Sequence, residues 1–170
     1  MTKLLFISLI MLFGCGKDIS QYTNNAPKLD LRTYLTGKTK AWGMIEDRNG
    51  NILRRFVVDM DTTWTGNHGV LKEHFTFDDG EKSERTWVID YTDNNNFTAT
   101  AGDVIGKAIG KQAGNALQMK YTLDLKVGKK NYKVNIDDWM FQLDERRLMN
   151  KSEIKKFGIT FARLTIFFEK

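Results

Sequence analysis

Glu73 and Arg85 are the two residues of this chain whose types and spacing point most directly to chemistry. They sit in two apolar-polar alternating runs, 70–77 and 82–91, joined by Asp78-Asp79-Gly80. Leu71, Phe75 and Phe77 share one face of the first run; Trp87, Ile89 and Tyr91 share one face of the second. The two faces coincide only if the loop has three residues, because a slip of one residue flips every side chain. That register sets Leu71 opposite Trp87 and Glu73 opposite Arg85, so opposite charges meet on an apolar side. An isolated buried charge is prohibitive, so the two must pair. The plain reading is a structural ion pair. The functional reading is a polar anchor inside an apolar cavity, where a guanidinium grips a carboxylate or phosphate in a two-pronged manner that lysine cannot match.

A second candidate is Asp137-Asp138, followed by Trp139 and Met140. Tyr132, Val134 and Ile136 alternate on one face, after which the apolar phase moves to Trp139, Phe141 and Leu143. A β-bulge at the two aspartates accounts for the slip and aims at least one carboxylate inward. An inward Asp138 or Glu73 has the makings of an acid/base group. Metal binding is not expected, because no histidine lies near these acids in sequence. His68 and His74 fit no zinc spacing, and His74 falls on the face opposite Glu73. No nucleophile elbow or phosphate loop is present, and no cofactor is expected.

The elements that must position these groups are mostly strands. Segments 40–47 and 51–60 flank Asp47-Arg48-Asn49-Gly50. A three-residue loop with Gly50 left-handed predicts Trp42 opposite Phe56 and Met44 opposite Arg54, with Trp42, Met44, Ile52, Phe56 and Val58 on one face. Before them, 29–36 reads as one or two helical turns, capped by Asp30, with Leu31, Tyr34 and Leu35 on one side and Gly37 at the end. Residues 116–126 alternate strictly and form the clearest strand. Ser152 is expected to cap a short turn through Lys156, and 159–168 is a final apolar strand.

The stretch before that clearest strand carries glycine at every fourth position: Gly102, Gly106, Gly110 and Gly114. A helix over 103–114 would include several glycines at roughly 1 kcal/mol each against alanine, and its lysines leave no apolar stripe. A curved strand is the better reading, with Gly114-Asn115 as the turn into the next.

Residues 1–14 read as a signal peptide: Lys3, then an apolar run too short to span a bilayer permanently. Leu12-Phe13-Gly14-Cys15 resembles a bacterial lipobox, which implies acylation of Cys15 and a membrane anchor. Cys15 is the single cysteine, so neither a disulfide nor a catalytic thiol is available. Residues 16–28 are polar and read as a flexible tether reaching about 20 Å. Gly16 and Lys17 follow the anchor without an aspartate, which resembles outer-membrane sorting to the periplasmic face of the envelope. The formal charge of +5 falls to +4 when Lys3 leaves with the leader. With export, that surplus implies a solvated basic surface and some attraction to anionic headgroups, and not a nucleic-acid partner.

Nine or ten antiparallel strands joined by short turns call for closure, which removes exposed edges. A helical turn, then glycine, then Trp42 in the first strand and Arg163 in the last is similar to the lipocalin-type (calycin) barrel. The expected fold is therefore all-β: a closed antiparallel lipocalin-like barrel over 29–170 with a short N-terminal helical turn. The series AWGMIEDRNG (41–50), LKEHF (71–75), DDGEKSERTW (78–87), DVIGKAIGKQAGNAL (103–117), DDWM (137–140) and LMNKS (148–152) resembles a proteobacterial lipoprotein family known only as domain of unknown function 3833. That resemblance implies export and supplies no activity or catalytic residue.

The leading functional expectation is a monomeric, lipid-anchored binding protein for an apolar or amphipathic, lipid-like small molecule. Trp42, Phe56, Phe75, Trp87, Met119 and Tyr121 are expected to line its cavity, with Arg54, Glu73, Arg85 and Asp138 as polar groups. Two alternatives stand beside it: an enzyme acting on an envelope lipid or isoprenoid-type substrate, and a structural component of an envelope complex.

Overall fold

A computed structural model of the chain describes residues 17–170. The expected leader (1–14) and Cys15 lie outside the described residues. The described residues form ten strands: β1 (Gly37–Asp47), β2 (Ile52–Thr65), β3 (His68–Phe77), β4 (Lys82–Tyr91), β5 (Asn96–Thr100), β6 (Val104–Ala113), β7 (Ala116–Val127), β8 (Lys130–Gln142), β9 (Arg147–Lys156) and β10 (Ile159–Glu169). Each pairs antiparallel with the next, and β10 closes on β1 through pairs from Lys40–Glu169 to Asp47–Ala162. Closure leaves no free edge, as the run of short turns requires. The loops after β1, β3, β5, β7 and β9 meet at one end, the mouth. The other end, the base, is plugged by helix α1 (Leu31–Leu35).

The plug forms as its sequence dictates. The Asp30 side chain accepts from the Arg32 backbone N–H at 3.0 Å, and Leu31, Tyr34 and Leu35 are buried against the barrel floor. The Tyr34 hydroxyl donates to the Arg146 carbonyl at 3.0 Å, and Gln112 Oε1 accepts from both the Leu31 N–H and the Tyr91 hydroxyl. Gly37 is left-handed at the helix exit.

The β3–β4 hairpin has the expected three-residue loop and register, with Glu73 opposite Arg85 and Leu71 opposite Trp87. The β1–β2 hairpin also has its three-residue loop, yet its register differs from the expected one. The ladder starts at Glu46–Ile52 and shifts between Ile45 and Glu46, so Trp42 faces Val57 and Gly43 faces Phe56. The bulge flips β1: Ala41 is buried inside, while Trp42 and Met44 point outward. Trp42 packs on Phe167 at 6.4 Å between ring centroids, and Arg163 lies opposite Glu46.

Three further expectations are corrected. β8 pairs without any register shift, so no bulge exists at Asp137-Asp138. The alternation runs unbroken inward through Val134, Ile136 and Asp138. Trp139 and Phe141 face outward, and they look like core in sequence because another segment covers them. That segment is the expected tether: residues Ile19–Tyr22 form a 3₁₀ turn, capped by Asp18, whose Ile19 and Tyr22 pack against Trp139, Phe141 and Ala116. Finally, Ser152 caps no turn. It lies within β9 and points inward.

The glycine-rich stretch is a strand, as its helix cost argued. Gly106 is left-handed at a bulge in β6, where the pairing with β7 shifts between Ile105 and Ile109. Gly110 faces inward, and a Cβ there would collide with the Phe97 ring. Gly114 is left-handed at the β6–β7 turn, and a Cβ there would collide with the Tyr22 carbonyl. Gly114 also accepts from the Leu29 N–H at 2.8 Å. Gly114→Ala is therefore expected to release the 17–29 segment from the barrel. Hydrogen exchange at Asn25 and Leu29 should accelerate at least about ten-fold, with Leu117 and Met119 unchanged, since local opening can occur apart from the global transition.

Candidate functional site

Six of the ten residues singled out from sequence converge inside the barrel: Glu73, Arg85, Trp87, Met119, Tyr121 and Asp138. They line an interior space with Met60, Leu71, Leu117, Met140, Leu148 and Asn150, and Leu31 and Leu35 form its floor. Its volume is about 70 Å³. That suffices for a few water molecules and falls well short of the roughly 300 Å³ at which ordinary ligand pockets begin.

The strands β3 and β4 place the ion pair. Arg85 Nε donates to Glu73 Oε2 at 2.7 Å, and the guanidinium stands over the Trp87 ring at 5.1 Å. Arg85 Nη1 approaches Asp103 Oδ2 at 3.6 Å, an ion pair longer than a hydrogen bond. Asp103 sits in the turn after β5, and its Oδ1 is buried with no hydrogen-bond partner. β5 is only five residues long, and its pairing with β4 ends at Val88–Thr100. The wall is thus notched beside Arg85, which keeps 24% of its side-chain surface exposed while Glu73 keeps 11%. Burial works against a charged guanidinium, but the Glu73 charge and hydrogen bond, with Asp103, hold the Arg85 pKa above its ordinary value. Arg85 is therefore a fixed cation at the boundary between an apolar interior and the mouth.

β7, β8 and β9 place the second group. Ser152 Oγ donates to Asp138 Oδ1 at 2.7 Å, and Asn150 Nδ2 donates to the same oxygen and to the Trp139 carbonyl. Burial is the strongest influence and pushes the Asp138 carboxyl up. The bonds from Ser152 and Asn150 and the Arg85 charge oppose that without cancelling it. Burial and the nearby Asp138 charge also raise the Tyr121 phenol, which stays neutral. The group is thus a neutral-leaning acid, a phenol and a cation around one small space.

A carboxyl whose pKa is higher in the folded than in the unfolded chain binds more protons when folded. Its contribution to stability is complete below the unfolded value and is lost as pH rises through the folded value. Asp138→Asn keeps an acceptor for Ser152 and Asn150 and removes the titration. The variant is expected to melt several degrees above the parent at pH 8 and to converge with it near pH 4, as measured by thermal unfolding across that range.

The structure separates the other expected residues from this space. Trp42 lies on the outside of the barrel. Phe56 and Phe75 are inside but fill the mouth side between β1 and β4, where they pack with Phe77 at centroid distances of 5.6–6.0 Å. Gly43 leaves the room that the Phe56 ring occupies. Arg54 stacks on Phe77 at 3.6 Å and is held by Asp79 and Glu81, so it closes the rim. Met140, which follows the second candidate pair in sequence, lines the space as well, whereas Asn150 and Ser152 were missed as site residues. Leu148, Asn150, Ser152 and Ile154 alternate as a strand face should, but polar Asn and Ser on such a face read as solvent-facing. His68 and His74 are exposed and bond to Asp90 and Glu84. Among the described residues no cluster of three His, Cys, Asp or Glu has metal-binding geometry.

A meandering antiparallel barrel, plugged at its base by a short N-terminal helix and holding polar groups in an apolar interior, is a lipocalin-like (calycin-type) fold. The chain belongs to the DUF3833 family of proteins of unknown function, whose profile matches residues 9–170. Among solved structures it resembles the S-type phycobiliprotein lyase CPES from Guillardia theta, at a TM-score of 0.54 and 8% identity, over 78% of this chain and 85% of that one. At that identity the likeness is one of fold. No curated protein matches the chain.

Proposed function

We propose that the barrel binds a small amphipathic molecule with an acidic headgroup, and that it does so at the periplasmic face of the outer membrane, anchored by acylated Cys15. The observation that carries the binding reading is the state of Arg85. It is committed to Glu73 through Nε alone, it opens onto the notch beside β5, and an apolar interior lies directly below it. An acidic headgroup at the notch would meet the free side of the guanidinium. The apolar end would enter among Met60, Met119 and Met140, whose unbranched side chains repack readily. With only about 70 Å³ open, a short molecule or the end of one chain fits, and a longer chain enters only as the methionines move.

A second reading rests on Asp138. A carboxyl whose pKa burial pushes upward, facing the same space, suits proton donation to a bound molecule. Asp138→Asn protein that still binds an amphiphile, but no longer converts it, would select this reading.

The binding proposal is tested by solvent extraction and mass spectrometry of the full chain purified from an envelope. An acidic amphiphile should accompany the parent protein in near-stoichiometric amount. It should fall at least about ten-fold in Arg85→Lys, which keeps the charge but loses the planar fork. Equal recovery from both proteins would sink the proposal.

A further inference from the structure

The tips of two neighbouring hairpins at the mouth combine exposed apolar side chains with lysines. Val127 and Tyr132 flank the β7–β8 turn, and Phe157 and Ile159 flank the β9–β10 turn. Phe157 is 89% exposed and Ile159 66%. Neither hairpin tip has a covering segment among the described residues. Around them stand Lys126, Lys129, Lys130, Lys133 and Lys156. The ion pairs of this sector are confined to Lys155, which reaches Glu153 and Asp137, and Asp124 accepts from Asn131. Lys156 lies 4.7 Å from the Tyr132 ring centroid, which joins the two hairpins into one surface.

The opposite sector of the mouth differs. There Arg54 is neutralised by Asp79 and Glu81, and Arg55 by Asp78. Ile52 and Leu53 are exposed there as well but stand beside paired arginines, whereas at the β7–β8 and β9–β10 tips the exposed apolar side chains coincide with lysines that make no ion pair among the described residues.

We propose that the β7–β8 and β9–β10 tips dock on a bilayer surface bearing anionic headgroups, with Val127, Phe157 and Ile159 entering the interface and the lysines meeting the headgroups. Aromatic and aliphatic side chains flanked by lysine are the composition that interfacial binding requires. Charge complementarity selects an anionic lipid surface over an uncharged one. The mouth then faces the membrane, and a molecule leaving the bilayer reaches Arg85 without crossing water. The docking itself requires neither a ligand in the barrel nor the anchor at Cys15.

Every strand, both short helices and every core contact described above lie within residues 17–170, so this polypeptide is a complete barrel for the test. Its sedimentation is measured with vesicles of equal parts phosphatidylglycerol and phosphatidylcholine, and with vesicles of phosphatidylcholine alone. Binding is expected on the mixed vesicles only, weakening in high salt. Val127→Ser/Phe157→Ser and Lys129→Glu/Lys130→Glu should each weaken it at least about ten-fold at unchanged melting temperature, since these positions are exposed. Equal binding to both vesicle types, or variants that bind as the parent does, would overturn the proposal. So would a concentration-dependent dimer abolished by Phe157→Ser, which would give the surface to a second copy of the chain. Loss of vesicle binding with ligand recovery intact would leave the binding proposal standing, and the reverse result would leave the docking proposal standing.

Discussion

Glu73→Leu is expected to cost the fold about 2–3 kcal/mol, and adding Arg85→Met to the same chain is expected to return most of that loss. Removing one member of a buried ion pair leaves the other charge desolvated without a partner, which costs about 3–5 kcal/mol in a fully buried site. Arg85 keeps 24% of its side-chain surface exposed, so water relieves part of the penalty and the lower figure applies. Asp103 at 3.6 Å is a poor substitute partner, since it is itself more than a third exposed. Replacing both charges by apolar groups removes the desolvation cost and extends the apolar interior already formed by Leu71 and Trp87. Denaturant unfolding of the parent, both single variants and the double variant closes the cycle. If both singles cost under about 0.5 kcal/mol, the pair is fully solvated and the account of a partly desolvated Arg85 is wrong. The double variant serves a second purpose: it should be well folded yet unable to retain an acidic amphiphile.

Phe97→Ala carries the other large effect, expected at about 3–5 kcal/mol. Phe97 is 2% exposed, packs on Tyr91 at 5.1 Å between centroids, and fills the space that Gly110 leaves opposite it. Gly110→Ala alone is expected to cost about 1–3 kcal/mol, because its Cβ drives into that ring. In the Phe97→Ala background the same change should be nearly neutral, since the methyl group enters the vacated space and alanine suits a strand better than glycine. The cycle should show a coupling of at least about 1 kcal/mol. Additive losses would mean that ring and glycine do not share one space, and the glycine period would need another explanation.

Those two sites also show what the sequence makes legible. Glu73 and Arg85 could be set opposite each other because Asp78-Asp79-Gly80 and two apolar faces allow only one register. The β1–β2 hairpin offered the same kind of signal, with Asp47-Arg48-Asn49-Gly50 as a correct three-residue loop. A bulge between Ile45 and Glu46, next to the turn, then moved Trp42 and Met44 to the outside. The extra residue is Leu53 on β2, since Glu46 pairs with Ile52 and Ile45 with Arg54, and with Ile52 and Leu53 both apolar the local pattern does not mark which one is extra. The reverse happened in β8. There an apparent slip of phase was the trace of Ile19 and Tyr22, which cover Trp139 and Phe141 from a segment more than one hundred residues away in sequence. Asn150 and Ser152 escaped notice because they satisfy a buried acid, and polar residues that face inward for such a partner look outward-facing in a pattern. The glycines of β6 were legible as features of a strand, since a helix would have had to bear them all. That each serves a different neighbour, a bulge, a ring and a carbonyl, depends on long-range packing.

The central claim is that a small amphipathic acid enters the barrel beneath Arg85. The seven methionines of the chain give a direct readout. Met60, Met119 and Met140 line the interior, whereas Met44 and Met149 border a groove on the outer surface. With methionine methyl groups labelled by carbon-13, a medium-chain fatty acid is titrated into the protein and the methyl resonances are followed. The account predicts saturable shifts at Met60, Met119 and Met140, with Met44 and Met149 unmoved and all shifts lost in Arg85→Lys. Shifts confined to Met44 and Met149, or interior shifts indifferent to Arg85, would contradict it.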